Sequence, residues 1–489
     1  MLHCGRLWSQ NLSRIISIEH SITQRYITTS AGAPRVCVVG AGPAGFYTAQ
    51  QILKLHPTVT VDILERLPVP FGLVRFGVAP DHQEVKNVIG TFTQTAGNDR
   101  CRFIGNVTVG ADVSIAELKS LYDAVALSYG AATDRDLGVP GESLRGVIPA
   151  RRFVGWYNGV PEDRDLNPDL SRSESAVIVG QGNVALDIAR ILLTPRNTLS
   201  QTDITNYSLA ARESTSKIKN VYIVGRRGPL QVAFTIKELR EMIKLPNCAT
   251  SIDEPGGEQL KLAKANMKVI PRPRKRLTEL LIKTAEEGVD ERRDARVNLI
   301  FLRSPVEIVG DENGYVKSIR LGLNELVGPL GEDQSVKPHP GGDVIEIPCG
   351  LVIKSIGYKS VNIDGDIPFD LKKGIIPNIR GRVERSPGLY CSGWVSRGPT
   401  GVVATTMSDA FEAGKVIVDD LEKGVIQRTE TGDKSIVDLL ESRNIRAVTF
   451  SDWEILDAYE RSNGEKVGKP REKLTVVADI FGILDNPNQ

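Results

Sequence analysis

Two glycine-rich turns, each between a short apolar strand and a helical run, and an apolar strand that returns late in the chain predict the fold class. It is α/β, with two Rossmann-like three-layer nucleotide-binding domains, the second inserted into a discontinuous first. The first turn, Gly40-Ala-Gly-Pro-Ala-Gly45, follows the strand pattern 36–39. The second, Gly180-Gln-Gly-Asn-Val-Ala185, follows the pattern 175–179. The late strand reads Gly388-Leu-Tyr-Cys-Ser-Gly-Trp394.

In the first motif Gly40 allows the tight turn, Gly42 lets backbone approach a pyrophosphate, and Gly45 brings helix and strand together. Pro43 and Ala44 complete the turn, and the following helix N-terminus offers free N–H groups to phosphate. A helix over 46–55 and a strand over 58–64 lead to Glu65, twenty residues after Gly45, whose carboxylate can accept ribose hydroxyls. Residues 66–82 hold three prolines and two glycines, which exclude regular helix or strand. Rich in Val, Leu and Phe, they read either as the lining of a cofactor ring, with Leu73 and Val74 against it, or as a buried connector. His82, one of five histidines, either positions a nicotinamide or handles a flavin proton, or bonds backbone as loop histidines do. A helix over 84–95 and strands over 103–109 and 123–128 complete this half.

The strand that follows the second motif is delayed by a polar insertion, 195–217, and runs over 221–225. It ends in Arg226-Arg227-Gly228, where the first motif has an acid. A carboxylate repels a 2′-phosphate, whereas two guanidiniums can clamp one in bidentate fashion. The pair reads as an NADP(H) determinant, the alternative being two solvated surface charges.

A helix over 235–244 carries Arg240. From Lys261 to Arg276 the chain holds Lys261, Lys264, Lys268, Arg272, Arg274, Lys275 and Arg276 and no acid. Such a run is a solvated face or, in a chain of net charge +1, a docking face for an acidic protein. No aromatic residue interleaves it, which disfavours single-stranded nucleic acid. A strand over 351–358 leaves the second domain, and the strand ending at Trp394 re-enters the first. Gly401, Val402 and Val403 then open a helix whose N–H groups can stabilise a reduced flavin at its N1–C2=O edge. Trp394 covers a flavin or nicotinamide ring, or packs in the core. The tail 446–489, with Trp453, Tyr459 and Phe481, is apolar enough to pack on the body and carries no assigned chemistry.

Composition agrees with a soluble globular chain of several domains: 489 residues, 41% hydrophobic and 25% charged. No apolar run reaches membrane-spanning length. The six cysteines are far apart and form no C-x-x-C, which argues against a disulfide framework, a metal or iron–sulfur site and a redox pair. The first thirty residues spread Arg6, Arg14 and Arg25 among Leu, Ile, Trp and Ser, with Glu19 the sole acid. That pattern fits a mitochondrial transit peptide over 1–32, a disordered tag being the alternative.

Six strings, taken in order, carry a family resemblance: Val-Val-Gly-Ala-Gly-Pro-Ala-Gly-Phe-Tyr-Thr-Ala, Phe-Gly-Leu-Val-Arg-Phe-Gly-Val-Ala-Pro-Asp-His, Gly-Gln-Gly-Asn-Val-Ala-Leu-Asp, Val-Gly-Arg-Arg-Gly-Pro, Pro-Arg-Pro-Arg-Lys-Arg-Leu-Thr-Glu-Leu and Gly-Trp-Val-Ser-Arg-Gly-Pro-Thr-Gly. From Arg35 onward the chain resembles the adrenodoxin reductases, FAD-dependent mitochondrial NADPH:ferredoxin oxidoreductases. The resemblance implies FAD contacts from Ala44, Glu65, Leu73, Val109, Trp394 and Gly401 to Val403. It implies NADPH contacts from Gln181, Gly182, Asn183, Val184, Arg226, Arg227, Glu238 and Gly401. Arg240, Arg272, Arg274, Lys275 and Arg276 match the ferredoxin-docking surface. His82, Trp394 and Asp187, the last residue of the third string, are the candidate catalytic residues.

The implied reaction passes hydride from NADPH to FAD, then single electrons to an acidic 2Fe–2S ferredoxin that feeds mitochondrial P450s or iron–sulfur assembly. The implied place is the mitochondrial matrix, with peripheral attachment to the inner membrane through a basic face as an option. The expected boundaries are 33–138 and 359–489 for the two parts of the FAD domain and 139–358 for the NADP domain. Two alternatives stand beside this reading. One is a flavoprotein like the glutamate-synthase small subunit, which would carry N-terminal cysteine clusters where this chain has only Cys4 before the first strand. The other is a non-catalytic nucleotide-binding module.

Overall fold

Apolar residues that alternate along short strands set the first sheet between two cores. Val36, Val38, Val61, Ile63 and Phe103 face one core, and Cys37, Val39, Leu64 and Ile104 face the other, as the two-residue period of a strand requires. In the computed structural model, which describes residues 32–426 and 435–486, five parallel strands form the centre of this sheet. Their order is Leu389–Cys391, Ala124–Leu127, Arg35–Val39, Thr60–Leu64 and Cys101–Gly105. Antiparallel strands extend the edges, Arg382–Val383 and Asn378–Ile379 at one end and Val448–Thr449 at the other. The late segment thus completes a sheet begun at residue 35. Helices Pro43–Leu55 and Val403–Glu422 pack together on one face. Ile115–Leu121 and Ile436–Ser442 contribute to the core of the other. The expected transit segment 1–32 lies outside the described residues, Gly32 aside.

The second sheet has six parallel strands, Val147–Pro149, Leu351–Lys354, Ser175–Val179, Asn220–Val224, Ala295–Ile300 and Cys248–Ile252. Helices Asn183–Leu193 and Arg272–Glu287 pack on one face through Leu186 and Leu281. The third layer is a small antiparallel sheet, Arg303–Gly310, Val316–Val327, Ser335–Pro338 and Val344–Pro348. It sets Ile319 and Leu321 against Val177 and Val352. Where the chain leaves and re-enters the first sheet, Thr133–Asp134 pairs antiparallel with Tyr358–Lys359. In both sheets the strand order reverses beside the strand that precedes the glycine motif, which opens a crevice at its C-terminal end.

Several elements differ from expectation. The segment 66–82 contains a short helix, Gly72–Phe76, entered through Phe71 and Gly72, both at positive φ. The helix expected over 84–95 is two, Gln83–Lys86 and Ile89–Ala96. In the first turn of the second, Gly90 and Thr91 donate to the carbonyls of Asn87 and Val88, the two residues between the helices, which tightens the path. The strand expected to reach Val109 stops at Gly105, because Asn106 turns left-handed at φ 61°. The strand expected over 351–358 breaks after Lys354, and the polar insertion 195–217 holds helices Arg196–Leu199 and Asn206–Thr215. Among the described residues no helix is long and apolar enough to cross a membrane.

Candidate functional site

The first crevice is built by close backbone approach. Gly40 sits at φ +105°, and its N–H donates to the Leu64 carbonyl at 2.7 Å. A Cβ on Gly45 would meet the Gly40 oxygen at 1.9 Å, so helix and turn touch only because that residue has no side chain. A Cβ on Gly42 would touch nothing; that side of the turn is open for a ligand. The helix start at Gly42 has no side-chain cap, so its N–H groups are available to phosphate. Glu65 ends the neighbouring strand, and its two carboxylate oxygens accept from the N–H groups of Ala41 (2.9 Å) and Leu67 (3.1 Å). Burial raises its pKa while those bonds oppose the rise.

Two distant segments close over this turn. Gly72 lies so near that its Cβ would stand 3.0 Å from the Gly42 Cα, and Leu73 beside it is exposed. The late segment arrives through the buried bonds Thr48–Ser392 (3.0 Å) and Ser128–Ser392 (2.8 Å). It brings half-buried Trp394, whose ring lies 5.9 Å from that of Tyr358, and the uncapped helix start at Gly401, Val402 and Val403. Val109 is buried and bridges Val113.

The second crevice repeats the plan with a different charge. Gly182 has open space where a Cβ would stand and begins the uncapped helix Asn183–Leu193 with Val184 in its first turn. Gln181 accepts from Ala233 at its carbonyl and donates its amide to Ile300 O at 2.9 Å, and Asn183 accepts the Thr235 N–H at 2.8 Å. Arg226 and Arg227 are exposed at the end of the strand Asn220–Val224, and among the described residues no carboxylate pairs with either guanidinium. The uncapped helix starts of the two glycine motifs, their two open glycines and one unpaired arginine pair fit two dinucleotides, the second carrying a 2′-phosphate.

Between the crevices lies an ionic cluster that sequence reading found only in part. Nε2 of His82, from the first lobe, is 2.7 Å from Glu241 and 2.9 Å from Nη2 of Arg190. Arg190 also donates to Asp187 (2.7 Å), Glu238 (2.7 Å) and Asp81 (2.8 Å). His82, Asp187 and Glu238 offer ligand atoms within 4.8 Å of one another. The Arg190 guanidinium bonds the same three groups and supplies the positive charge there. Arg190 was missed, although an arginine at i+3 from Asp187 in an otherwise apolar helix was a legible signal.

Burial pushes the Asp187 carboxyl up to about 7, with Arg190 opposing and Glu238 and Asp81 adding like charge. A carboxyl with a raised folded-state pKa adds stability while protonated, and that contribution fades as pH rises from the ordinary carboxylate range through about 7. Asp187→Asn, which cannot ionise, is expected to lose less melting temperature between about pH 5 and about pH 8 than the unaltered chain. Parallel melting curves for the two would contradict the shift.

The basic stretch divides in two. Lys261 pairs with Glu258, Lys264 with Glu286, and Arg274 with Glu332 and the Val232 carbonyl. Exposed Arg240, Arg272 and Arg276 and half-buried Lys275 have no carboxylate partner among the described residues. They lie on two helices that pack together, Ile236–Ile243 and Arg272–Glu287.

No family model matches the chain. The mitochondrial NADPH:adrenodoxin oxidoreductase of Mus musculus is 56% identical over 466 residues, 94% of this chain and 93% of that protein. Its Homo sapiens namesake is 54% identical over 470 residues, 94% of each. The Arabidopsis thaliana protein of that name is 44% identical over 483 residues, 95% of this chain and 98% of its own. Among solved structures, FprA, a Mycobacterium tuberculosis oxidoreductase, superposes with a TM-score of 0.85 at 40% identity, covering 92% of this chain and 99% of its own. FprA in complex with NADPH superposes with a TM-score of 0.84 at 39% identity and the same coverage.

Proposed function

The chain belongs to the mitochondrial NADPH:adrenodoxin oxidoreductase family, and from that premise we propose that it is the mitochondrial flavoprotein that takes hydride from NADPH and hands electrons singly to an acidic 2Fe–2S ferredoxin. The observation that carries the reading is the asymmetry of the crevices. A carboxylate, Glu65, ends the second strand of one, and two unpaired guanidiniums, Arg226 and Arg227, end that of the other. FAD, when bound, supplies the conversion of a two-electron donation into one-electron release. This chain's residues bind, orient and exclude. The turn from Gly40 to Gly45, with Pro43 and Ala44, and Glu65 hold FAD. Leu73, Val109, Trp394 and the Gly401–Val403 helix start would contact it. Gln181 to Val184, Arg226 and Arg227 would hold NADPH, with further contacts from Glu238 and Gly401. His82 and Asp187, each accepting a hydrogen bond from Arg190, are the candidate proton-handling side chains. The FAD unit spans 33–138 and 359–489 and the NADP unit 139–358, a division supported by the strands each sheet draws on.

The ferredoxin docks on Arg240, Arg272, Lys275 and Arg276, with Arg274 holding the face in shape through Glu332. Electrons then serve mitochondrial P450s or iron–sulfur assembly, and the basic face permits peripheral contact with anionic inner-membrane lipid. Surface charge pairs are screened by salt. Ferredoxin affinity is therefore expected to weaken by about tenfold or more from roughly 50 to 300 mM salt. Arg272→Glu and Arg276→Glu together should raise the KM for ferredoxin by a similar factor and leave NADPH affinity alone. A dissociation constant unmoved by salt would refute the docking face. The glutamate-synthase-like alternative lacks its cysteine clusters, and the non-catalytic alternative has no observation in its favour.

A further inference from the structure

The tail beyond Arg446 had no role in the sequence reading, yet it carries the most deeply buried ionic network among the described residues. Helix Phe450–Glu465 sets the Glu460 carboxylate, fully buried, against Arg75 of the helix Gly72–Phe76, also buried, with Nη1 to Oε2 at 2.9 Å. Arg471 reaches the same carboxylate at 3.0 Å and Asp457 at 2.7 Å, so the chain doubles back along the helix. The Arg75 guanidinium lies 5.0 Å over the Trp453 ring, which meets Phe71 edge-on. The tail therefore holds the helix that brings Leu73 to the first crevice.

Two lysines of the tail extend this grip to the second lobe. Lys473, fully buried, places Nζ 3.1 Å from Asp203, 3.3 Å from the Arg75 carbonyl and 3.5 Å from Asn158 Oδ1. Asp203 lies in the polar insertion of the second lobe, and Asn158 ends the helix Ala150–Asn158, which packs in that lobe's core. Asp203 also accepts from Lys86 of the first lobe at 2.7 Å and from Gln83 at 2.9 Å. Lys469 donates to the Ile204 carbonyl and to Asn206 at 2.9 Å, both beside Asp203. One carboxylate of the second lobe is thus fixed by the first lobe directly and through the tail.

We propose that residues 450–476 are a clasp that sets the angle between the two nucleotide lobes, with Lys473 and Asp203 as the positioning pair for hydride transfer. The inference rests on the reading that NADPH reduces FAD. Hydride transfer needs the reacting atoms about 3–3.5 Å apart, and a misplacement of about 1 Å can cost roughly a hundredfold. An ionic network buried in place resists such slippage, because moving one partner strands the others without solvent.

Stopped-flow bleaching of the flavin by saturating NADPH, in FAD-loaded protein, tests the clasp. Lys473→Met and Asp203→Asn are each expected to slow bleaching by about tenfold or more. The NADPH dissociation constant, the flavin absorption spectrum and reduction by dithionite should stay as in the unaltered chain, and Lys473→Arg should recover much of the rate. Asp203→Asn, which still accepts hydrogen bonds, decides the matter should Lys473→Met not fold. Unchanged bleaching in a folded, flavin-loaded variant overturns the clasp, as does slowing matched by a changed flavin spectrum or dithionite reaction. If NADPH fails to bleach the unaltered chain, the functional reading falls and the clasp with it.

Discussion

Gly45→Ala is expected to yield a protein that no longer retains FAD. Its Cβ would stand 1.9 Å from the Gly40 oxygen and 3.3 Å from Val38 Cγ1, inside a turn whose other side is fixed by the Gly40–Leu64 hydrogen bond. Relief requires the helix Pro43–Leu55 to lift from the strand Arg35–Val39, which uncovers Phe46 and Ala49, both fully buried. Overpacking of this kind costs roughly 1–3 kcal/mol and more when backbone must move. Domains are only about 5–15 kcal/mol stable. Gly42→Ala separates folding from binding. Its Cβ touches no protein atom, so that variant should melt near the unaltered temperature and still bind flavin poorly, because the methyl group occupies the path of the pyrophosphate. Flavin absorbance after gel filtration and a melting curve read both effects. A yellow, normally stable Gly45→Ala protein would contradict the account of the turn.

Replacing Arg226 and Arg227 together with alanine should lower kcat/KM for NADPH by roughly 10²–10³-fold while leaving NADH within a fewfold. Hydrogen bonds to charged groups contribute about 1.5–3 kcal/mol each, and each 1.4 kcal/mol is about tenfold. Neither guanidinium has a carboxylate partner among the described residues, so their removal leaves no buried charge stranded and the fold should be unaffected. Equal losses with both nucleotides would remove the 2′-phosphate assignment.

What was legible in the sequence is what is local. The first nucleotide motif is written within thirty residues, 36–65, and in the second the strand, turn and helix start are as local, only the strand end at Arg226 and Arg227 being set back by the insertion 195–217. The parallel strand patterns and the late return were legible for the same reason: strands buried on both faces read as apolar runs. The antiparallel layer over 303–348 was not, since its strands are partly exposed and their alternation is broken by bulges at Pro305 and Val309. Single members of the ionic hubs were legible, but their partners were not. Arg190 meets Asp81 at a separation of 109 residues, and Arg75 meets Glu460 at 385. No periodicity connects such partners. A charge in an apolar helix shows that it must be paired, not with what. The basic stretch looked uniform in sequence, and only side-chain pairing separates Arg274 from its unpaired neighbours.

The most direct test of the central claim is NADPH-driven reduction of cytochrome c by FAD-loaded residues 31–489, with and without a small acidic 2Fe–2S ferredoxin. Reduction should depend strongly on the ferredoxin, fall with salt and be poor with NADH. Reduction that ignores the ferredoxin, or that runs equally well on NADH, would contradict the claim.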